Sequence, residues 1–167
     1  MELADLYDIE TALEENIRTA LIAAGFEKVF TRVNGVVDFQ RDRPRLELKV
    51  SLGAQNGHFA LCDDGNERYD QWAFSLEAEA VTSPENTSDA NVLHGVYRAQ
   101  VRATFSTLGQ ASQRDTTNFP NHAISQPLRE TGTQHMLNPE KGYEASRLTF
   151  SGTVAIRKES FSAVFNN

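Results

Sequence analysis

The sequence lacks most of the features that assign a function directly. Its one cysteine, Cys62, excludes an internal disulfide and a cysteine-rich metal site, so we expect a reducing compartment. No segment approaches the ~20 consecutive apolar residues that a membrane-spanning helix needs. The first five residues include Glu2 and Asp5, and they lack the apolar run of a signal peptide. We therefore expect neither secretion nor a membrane anchor.

Positive charge is also scarce. The formal net charge is -7, whereas general binding of nucleic acid or anionic membranes needs clustered lysine and arginine. No Walker A loop and no G-x-S-x-G nucleophile motif occurs in the sequence. We therefore expect no sequence-specific contact with nucleic acid and no nucleotide cofactor.

The composition is that of an ordinary globular protein. The chain has 167 residues, of which 40% are hydrophobic and 23% are charged. A chain of this length buries roughly two-thirds of its unfolded surface, so it needs no disulfide or metal for stability. We predict a single domain spanning residues 1–167.

Apolar residues at helical spacing predict two helices. The first has one apolar stripe and ends at Gly25, where Phe26 folds back onto Leu21 in a Schellman-type stop. Its stripe comprises Leu6, Ile9, Leu13, Ile17 and Leu21. The second helix begins at Ser88 or Asp89. Its predicted inner face comprises Leu93, Tyr97, Val101, Phe105 and Leu108.

Alternating apolar residues predict the strands. Asn34-Gly35 is a strong hairpin signal and predicts paired arms at residues 28–33 and 36–40. Further strands are predicted at residues 46–52, at 72–80 as the central strand of the sheet, and at 148–157. Gly152 falls on the inner face of the last strand and predicts a bulge or a close approach.

Two long polar segments, at about residues 53–70 and 109–143, are predicted as loops. Loops of this length are uncommon in a compact domain unless they bind something or become ordered on assembly. An apolar tail follows the last strand, with Phe161, Val164 and Phe165 available to fold back or to contact a neighbour. The order of elements predicts an α+β fold: a mostly antiparallel sheet of about four to five strands, with two helices on one face.

The strongest candidate for chemistry is Asp38 followed by Glu47-Leu48-Lys49. This pattern resembles the PD-(D/E)xK nucleases, in which two carboxylates hold Mg²⁺ and the lysine polarises a water. However, Val37 stands where that family usually has proline, and Glu47 and Lys49 fall on the outward positions of an alternating strand. Charged residues are expected there anyway. We favour the solvated-strand interpretation and predict no catalytic residue.

The histidines and one acidic segment provide no other convincing site. None of the four histidines (His58, His94, His122 and His135) has the spacing of a zinc ligand set. We expect them to lie on the surface or to form hydrogen bonds. The segment Asp63-Asp64-Gly65-Asn66 lacks calcium-loop spacing and is explained equally well as a tight turn. We therefore predict no metal and no cofactor.

Arg98 and Arg102 lie one turn apart on the outer face of the second helix. Such a pair could contact phosphates, but more often it forms a solvated helix face or pairs with carboxylates such as Glu77 and Glu79. An assembly contact is a further interpretation, because arginine is enriched at protein interfaces. The sequence leaves these interpretations open.

The order of elements resembles the tail terminator, or tail-completion, proteins of tailed bacteriophages and prophages. Four pieces carry the resemblance: the opening helix from Asp8-Ile9-Glu10 to Ala24-Gly25-Phe26, the Trp72-Ala73-Phe74 strand, the Leu93-His94-Gly95-Val96-Tyr97-Arg98 helix, and the closing strand from Leu148-Thr149-Phe150 to Ile156-Arg157. It spans most of the chain. The two long loops exceed the minimal pattern of the family, so a head-completion or connector protein is the neighbouring alternative.

The resemblance implies a structural virion protein that forms a hexameric ring at the head–tail junction. Such a ring ends growth of the tail tube and joins the tail to the head. Its expected partners are further copies of itself, the tail-tube protein and head-connector proteins. Its expected location is the phage neck, after assembly in the bacterial cytoplasm. DNA would pass through an acidic lumen, near which we place Glu77 and Glu79 or the Asp63-Asp64 loop.

Overall fold

A computed structural model describes residues 9–35, 37–38, 44–60, 68–82, 87–112, 122–124, 128–138 and 143–157. Its elements in chain order are α1 (Ile9–Ala23), β1 (Val29–Phe30), β2 (Arg45–Ala60), β3 (Arg68–Thr82), α2 (Thr87–Ser112), β4 (His122–Ile124), β5 (Arg129–Asn138) and β6 (Tyr143–Arg157). The predicted α+β class is confirmed. The Asp63-Asp64 turn and the apolar tail lie outside the described residues.

The strands form one open sheet in the order β1-β2-β3-β6-β4, and β5 pairs with β6 beside β4. Every pairing is antiparallel except the short parallel contact of β1 with β2. The central position of β3 confirms the prediction for residues 72–80. β2 and β3 continue well past their apolar segments as a long antiparallel hairpin, which pairs as far as Ala60 with Arg68.

The core lies between one face of this sheet and both helices. Alternate residues of β2, β3 and β6 supply the sheet side of the core: Leu46, Leu48, Val50, Phe74, Leu76, Ala78, Ala80, Leu148, Phe150 and Val154. The rings of Phe105 on α2 and Phe150 on β6 are 4.7 Å apart. Phe26 after α1 meets Tyr97 on α2 edge to face at 5.7 Å. Both helices therefore cover the same face of the sheet, as predicted.

The first helix ends as the sequence predicts. Phe26 donates its backbone N–H to Leu21 at 3.1 Å, and Gly25 donates to Ile22 at 3.0 Å. Gly25 has a φ of 106°, a left-handed conformation that glycine adopts without steric cost. These are the two hydrogen bonds of a Schellman stop, and Phe26 is buried in the core beside Leu21.

The predicted inner face of α2 is correct except at its start. Val101, Phe105 and Leu108 are buried, but Leu93 is 61% exposed and the neighbouring His94 is 4% exposed. Successive helix residues point about 100° apart, so the face that buries Val101 also buries His94 and excludes Leu93. The prediction for Leu93 was wrong because His94 has polar partners in the interior, described below.

The predicted hairpin around Asn34-Gly35 was also wrong. Only Val29–Phe30 forms a strand, and it pairs in parallel with Leu46 and Glu47 of β2. The predicted return arm contributes no strand at Val37 or Asp38, and the rest of that arm, residues 36, 39 and 40, lies outside the described residues.

Contacts with α1 override the local hairpin signal. The Thr31 hydroxyl and the Asn34 side-chain amide both donate to Glu15, the latter at 2.5 Å. Arg18 donates from Nε to the Val29 carbonyl at 2.9 Å. Gly35, with a φ of 116°, lies against the Phe30 ring, which a Cβ at this position would overlap. The segment after β1 therefore folds onto the helix.

Both predicted long loops were wrong over much of their length. Residues 53–60 and 68–70 belong to β2 and β3. Residues 109–112 continue α2, and β4 and β5 occupy much of the second predicted loop. Within β5, residues 129–135 are all exposed, so no alternation of buried and exposed positions marks this strand in the sequence.

Gly152 confirms the predicted close approach. A Cβ at this position would lie 2.6 Å from Leu128 and 2.7 Å from the Phe74 ring. The absence of a side chain lets these two buried residues meet over β6. Because Leu128 immediately precedes β5, this contact also anchors the start of that strand.

Candidate assembly surface

The helix-free face of the sheet is polar. Glu47, Glu79 and Arg147 lie side by side on β2, β3 and β6 in one cross-strand row. Arg147 is 3.5 Å from Glu79, and Arg45 donates from Nε to Glu47 at 3.1 Å. These two arginines offset the repulsion between directly opposed glutamates. Both described helices lie on the other face, although Arg45 at one end of this surface is only 2% exposed.

The nuclease-like residues are only partly brought together. Glu47 and Lys49 line a shallow groove of about 380 Å³, and Val37 lies in the same lining, whereas Asp38 does not. Glu47 is already engaged by Arg45. Among the residues that the structure describes, no group of three or more histidine, cysteine, aspartate or glutamate side chains could hold a metal ion.

Side chains from α1 close the outer edge of β2. Glu14 is fully buried and accepts the Val50 backbone N–H at 3.0 Å. The same carboxylate accepts both the backbone N–H and Nε of Arg32, at 2.7 and 3.0 Å. Arg32 in turn donates to the Val50 carbonyl at 2.5 Å. β1 pairs with β2 only at Leu46 and Glu47. Beyond that point, Glu14 and Arg32 replace a neighbouring strand by bonding to the backbone N–H and C=O of Val50.

A second carboxylate extends this closure. Glu10, one helical turn before Glu14, accepts the Leu52 backbone N–H at 3.1 Å and lies 3.6 Å from Arg32. The edge of β2 is therefore covered by β1 at Leu46 and Glu47, and by side chains at Val50 and Leu52. An exposed strand edge is a template for pairing with another chain, and this closure removes it.

At the opposite edge of the sheet, the described residues show no comparable closure by a buried carboxylate. Residues 129–135 of β5 are all exposed. Two protective features, the charges of Arg129 and Glu130 and a bulge, lie at the start of the strand. From Gly132 to Asn138 the pairing with β6 is regular, and the stretch contains no lysine, arginine, aspartate or glutamate.

The inner side of β5 is tied to α2 by two arginines. Arg102 donates to Glu130 at 2.8 and 3.0 Å and to the Thr133 hydroxyl at 3.1 Å. This hydrogen bond with Arg102 lowers the pKa of Glu130 and raises that of Arg102. Arg98 lies 3.0 Å from His135.

The partner of Arg102 is therefore Glu130. The predicted ion pairs of Arg98 and Arg102 with Glu77 and Glu79 were wrong, because those glutamates lie on the helix-free face of the sheet. The phosphate interpretation finds no support at Arg102, whose charge is neutralised within the chain.

A buried polar cluster lies where α2 crosses the sheet. His94 makes hydrogen bonds at 2.7 Å through Nδ1 to the Thr82 hydroxyl and through Nε2 to the Ser146 hydroxyl. Ser146 also contacts His135 at 2.9 Å. Burial lowers the pKa of His94 to about 4, and the charges of Arg98 and His135 act in the same direction. His94 is therefore neutral at pH 7.

The expectation of hydrogen-bonding histidines is confirmed for His94 and His135. The side chains of His58 and His122 lie outside the described residues. The hydroxyl partners of His94 were not predicted, although its spacing from Val101 could have placed it on the inner face of α2. An apolar patch lies on the outer side of this helix, where Val92, Leu93 and Val96 are 64%, 61% and 50% exposed.

The comparisons with known proteins give no family assignment. No protein-family model matches the sequence, and no curated protein matches it. Among solved structures, the fold is similar to a chain from "Virion of native gene transfer agent (GTA) particle", at 14% identity and a TM-score of 0.41. That match covers 92% of this chain and 99% of the other.

A second solved chain, whose name states no function, has 11% identity and a TM-score of 0.42, covering 85% of this chain and 94% of its own. At such identities and TM-scores neither match carries a functional argument. No described helix combines the length and the hydrophobicity needed to cross a membrane.

The described surface has three features relevant to contact with other molecules. They are a polar sheet face, an apolar patch on a helix and a strand edge with exposed residues. Two of the buried polar side chains, Glu14 and His94, have their hydrogen bonds satisfied by partners within the chain. A buried group with all its hydrogen bonds satisfied stabilises the fold and has little capacity left to act on a substrate.

Proposed function

We propose that this chain is a structural subunit of a phage-like virion, which forms a ring at the head–tail junction as a tail terminator. The observation that carries the proposal is the unequal treatment of the two sheet edges. One edge is closed by Glu10, Glu14 and Arg32 of the same chain, and the other ends in β5, whose residues 129–135 are exposed. The element-by-element resemblance to tail terminators supports the same assignment.

A ring requires heterologous contacts, in which one patch of a subunit meets a different patch on the next. The exposed β5 edge and the Val92–Leu93–Val96 patch are separate surfaces available for such contacts. The tail-tube protein and head-connector proteins are the proposed partners at the two rims. Glu77 and Glu79 on the helix-free face are proposed to line an acidic lumen, from which DNA is repelled.

Oligomeric mass provides the decisive experiment. Sedimentation of the purified chain over a range of concentrations should show a species near six times the 18.6 kDa subunit. Negative-stain images of that species should show rings, and the rings should cap purified tail tubes. A strictly monomeric chain that does not bind tail tubes would refute the assignment. Binding to filled heads and not to tail tubes would favour a head-completion or connector protein.

A nuclease of the PD-(D/E)xK type is the second candidate, because Glu47 and Lys49 share a groove with Val37, the neighbour of Asp38. Incubation with DNA and Mg²⁺ or Mn²⁺ tests it. Cleavage that Asp38→Ala abolishes and Glu77→Ala preserves would establish this alternative. No cleavage by the wild-type chain would remove it.

A further inference from the structure

We propose that neighbouring subunits join when the apolar tail of one copy, residues 161–165, binds in a groove between α1 and α2 of a second copy. This inference rests on the proposed ring and specifies one of its contacts. The partner is a second copy of this chain, and the recognition chemistry is the burial of two phenylalanine rings and a valine against an apolar floor.

The groove lies where the end of α1 faces the middle of α2. Its volume is about 530 Å³, within the roughly 300–1,000 Å³ of pockets that bind ligands. Phe26, Pro44 and Tyr97 contribute rings to its lining, and Ala24 and Ala103 contribute methyl groups. Phe26 and Tyr97 meet edge to face at 5.7 Å, so the aromatic floor is already formed in the single subunit. A preformed floor lowers the entropic cost of binding.

The charges around the groove suit an uncharged occupant. Its lining includes one acidic residue, Glu27, and one basic residue, Lys28, so the lining has no net charge. Residues 161–165 contain no charged side chain. Binding would therefore bury apolar surface without burying an unpaired charge, which would oppose the contact.

The apolar tail has the residue pattern of a segment that binds in a groove. Phe161, Val164 and Phe165 have the i, i+3, i+4 spacing with which a short amphipathic helix presents its anchors. The tail follows Arg157, the last residue of β6, and residues 158–167 lie outside the described residues. Its position in the molecule is therefore set by the end of β6.

The tail is too short to reach the groove of its own chain. Pro44 in the groove lining immediately precedes Arg45, which lies in one cross-strand row with Ala145 of β6. From Ala145 to Arg157, β6 pairs with β3 without a register shift, and these twelve residues span roughly 40 Å at about 3.3 Å each. The eight residues from Arg157 to Phe165 extend at most about 28 Å. A tail bound in the groove therefore belongs to another copy.

The tail and the groove are different surfaces, and the tail begins at the opposite end of the sheet from the groove. Their contact is therefore heterologous, and repetition of a heterologous contact around an axis closes a ring. The far end of β6 in one subunit would then lie beside the α1–α2 groove of the next.

Substitutions on both sides of the contact test it. Ala103 is exposed and lines the groove, so Ala103→Arg should fill the groove without disturbing the core. Ala99→Arg is the matched control, because Ala99 is exposed one helical turn away and does not line the groove. On the other side, Phe161→Ser combined with Phe165→Ser removes both aromatic anchors. Phe161→Leu combined with Phe165→Leu is its control, since it keeps the apolar character.

The groove variant and the serine tail variant should each sediment as monomers, since each retains only one competent surface. Both controls should form rings. A mixture of the groove variant and the serine tail variant should yield 1:1 dimers, because the intact tail of the first meets the intact groove of the second. Rings of wild-type mass from either variant, or a mixture that stays monomeric, would overturn the inference while the proposed ring stands. A monomeric wild-type chain would overturn both proposals.

A labelled peptide of residues 158–167 measures the single contact by fluorescence anisotropy. The peptide should bind the serine tail variant, and adding Ala103→Arg to that variant should weaken binding by about tenfold or more. Adding Ala99→Arg should leave the affinity unchanged. Equal affinities for these two proteins would overturn the inference. So would a melting temperature of the serine tail variant well below that of the groove variant, because the tail would then stabilise its own subunit.

Discussion

The two edges of this sheet differ in which side chains bond to the edge strand. At the β2 edge, one buried carboxylate and one arginine replace the missing strand and bond directly to the Val50 backbone. At the β5 edge, the described side-chain contacts run inward, to α2 through the Arg102–Glu130 pair and the Arg98–His135 contact, and to β6 through His135 and Ser146. The first arrangement hides backbone polar groups from other chains, whereas the second leaves them accessible.

This difference indicates where stability and association reside. The β2 edge is part of the folded core, so its perturbation should unfold the chain. The β5 edge is attached by exposed contacts, so its perturbation should change assembly with little effect on the fold. Four experiments compare the contributions of these regions to stability.

The largest loss is expected from Glu14→Ala at the closed edge. Glu14 is fully buried, and a buried donor that loses its acceptor typically costs about 1–3 kcal/mol. Loss of the contacts to Val50 and Arg32 together should therefore cost about 3 kcal/mol or more, with little from the charge of Arg32, whose side chain is 38% exposed. Here Arg32 and the Val50 N–H would both lose their acceptor. Urea denaturation should show this loss in the free energy of unfolding.

Glu10→Ala is the matched control, since its carboxylate is 32% exposed and its loss should cost about 1 kcal/mol. Equal losses for both variants would contradict the assigned role of burial.

The next largest effect is the pH dependence contributed by His94. Its folded-state pKa of about 4 lies below the unfolded value of 6.5, so the unfolded chain binds the proton more readily. Stability should therefore be complete above the unfolded pKa and should fall as the pH drops from about 6.5 to 4. The difference in pKa corresponds to a loss on the order of 3 kcal/mol.

The measurement compares unfolding free energies of wild type and His94→Gln at pH 7 and pH 4.5. The glutamine variant is less stable at pH 7, but it should lose much less than wild type on acidification. His135→Gln removes one of the charges that lower the pKa of His94, so it should reduce the slope by less than His94→Gln does. Parallel slopes for wild type and His94→Gln would show that His94 does not control this transition.

A smaller loss is expected where β6 supports the start of β5. Gly152→Ala places a Cβ within 2.7 Å of Leu128 and Phe74, and such overpacking typically costs about 1–3 kcal/mol. Gly132→Ala in β5 is the matched control, because a Cβ at that position meets no other atom within 4 Å. Thermal unfolding of both variants should separate them, with Gly132→Ala close to wild type. A neutral Gly152→Ala would mean that Leu128 and Phe74 move apart freely.

The elements that could be predicted from the sequence are those whose buried residues recur at a regular spacing. The stripe of α1, its stop at Gly25 and Phe26, and the alternating strands β2, β3 and β6 all occur where they were predicted. Each of these signals lies within a few neighbouring residues. The packing of both helices on one face followed from the same patterns.

The rest depended on contacts that the local sequence does not encode. Glu14 and Val50 are distant in the chain, as are His94 and Ser146, so their pairing cannot be read from spacing. Asn34-Gly35 favours a hairpin locally, but the hydrogen bonds from Thr31 and Asn34 to α1 hold this segment on the helix instead. β5 escaped prediction because an edge strand exposed on both faces has no alternation to detect.

The smallest effect tests whether the attachment of β5 to α2 is as weak as its exposure suggests. Arg102 is 40% exposed and Glu130 is 30% exposed, and ion pairs of this kind contribute about 0.2–1 kcal/mol. A double-mutant cycle of Arg102→Ala and Glu130→Ala should give a coupling energy in that range at pH 7. The coupling should fade at low pH, because it depends on the ionised Glu130, whose pKa Arg102 lowers. A coupling energy well above that range would place the β5 edge in the folded core and remove the contrast between the two edges.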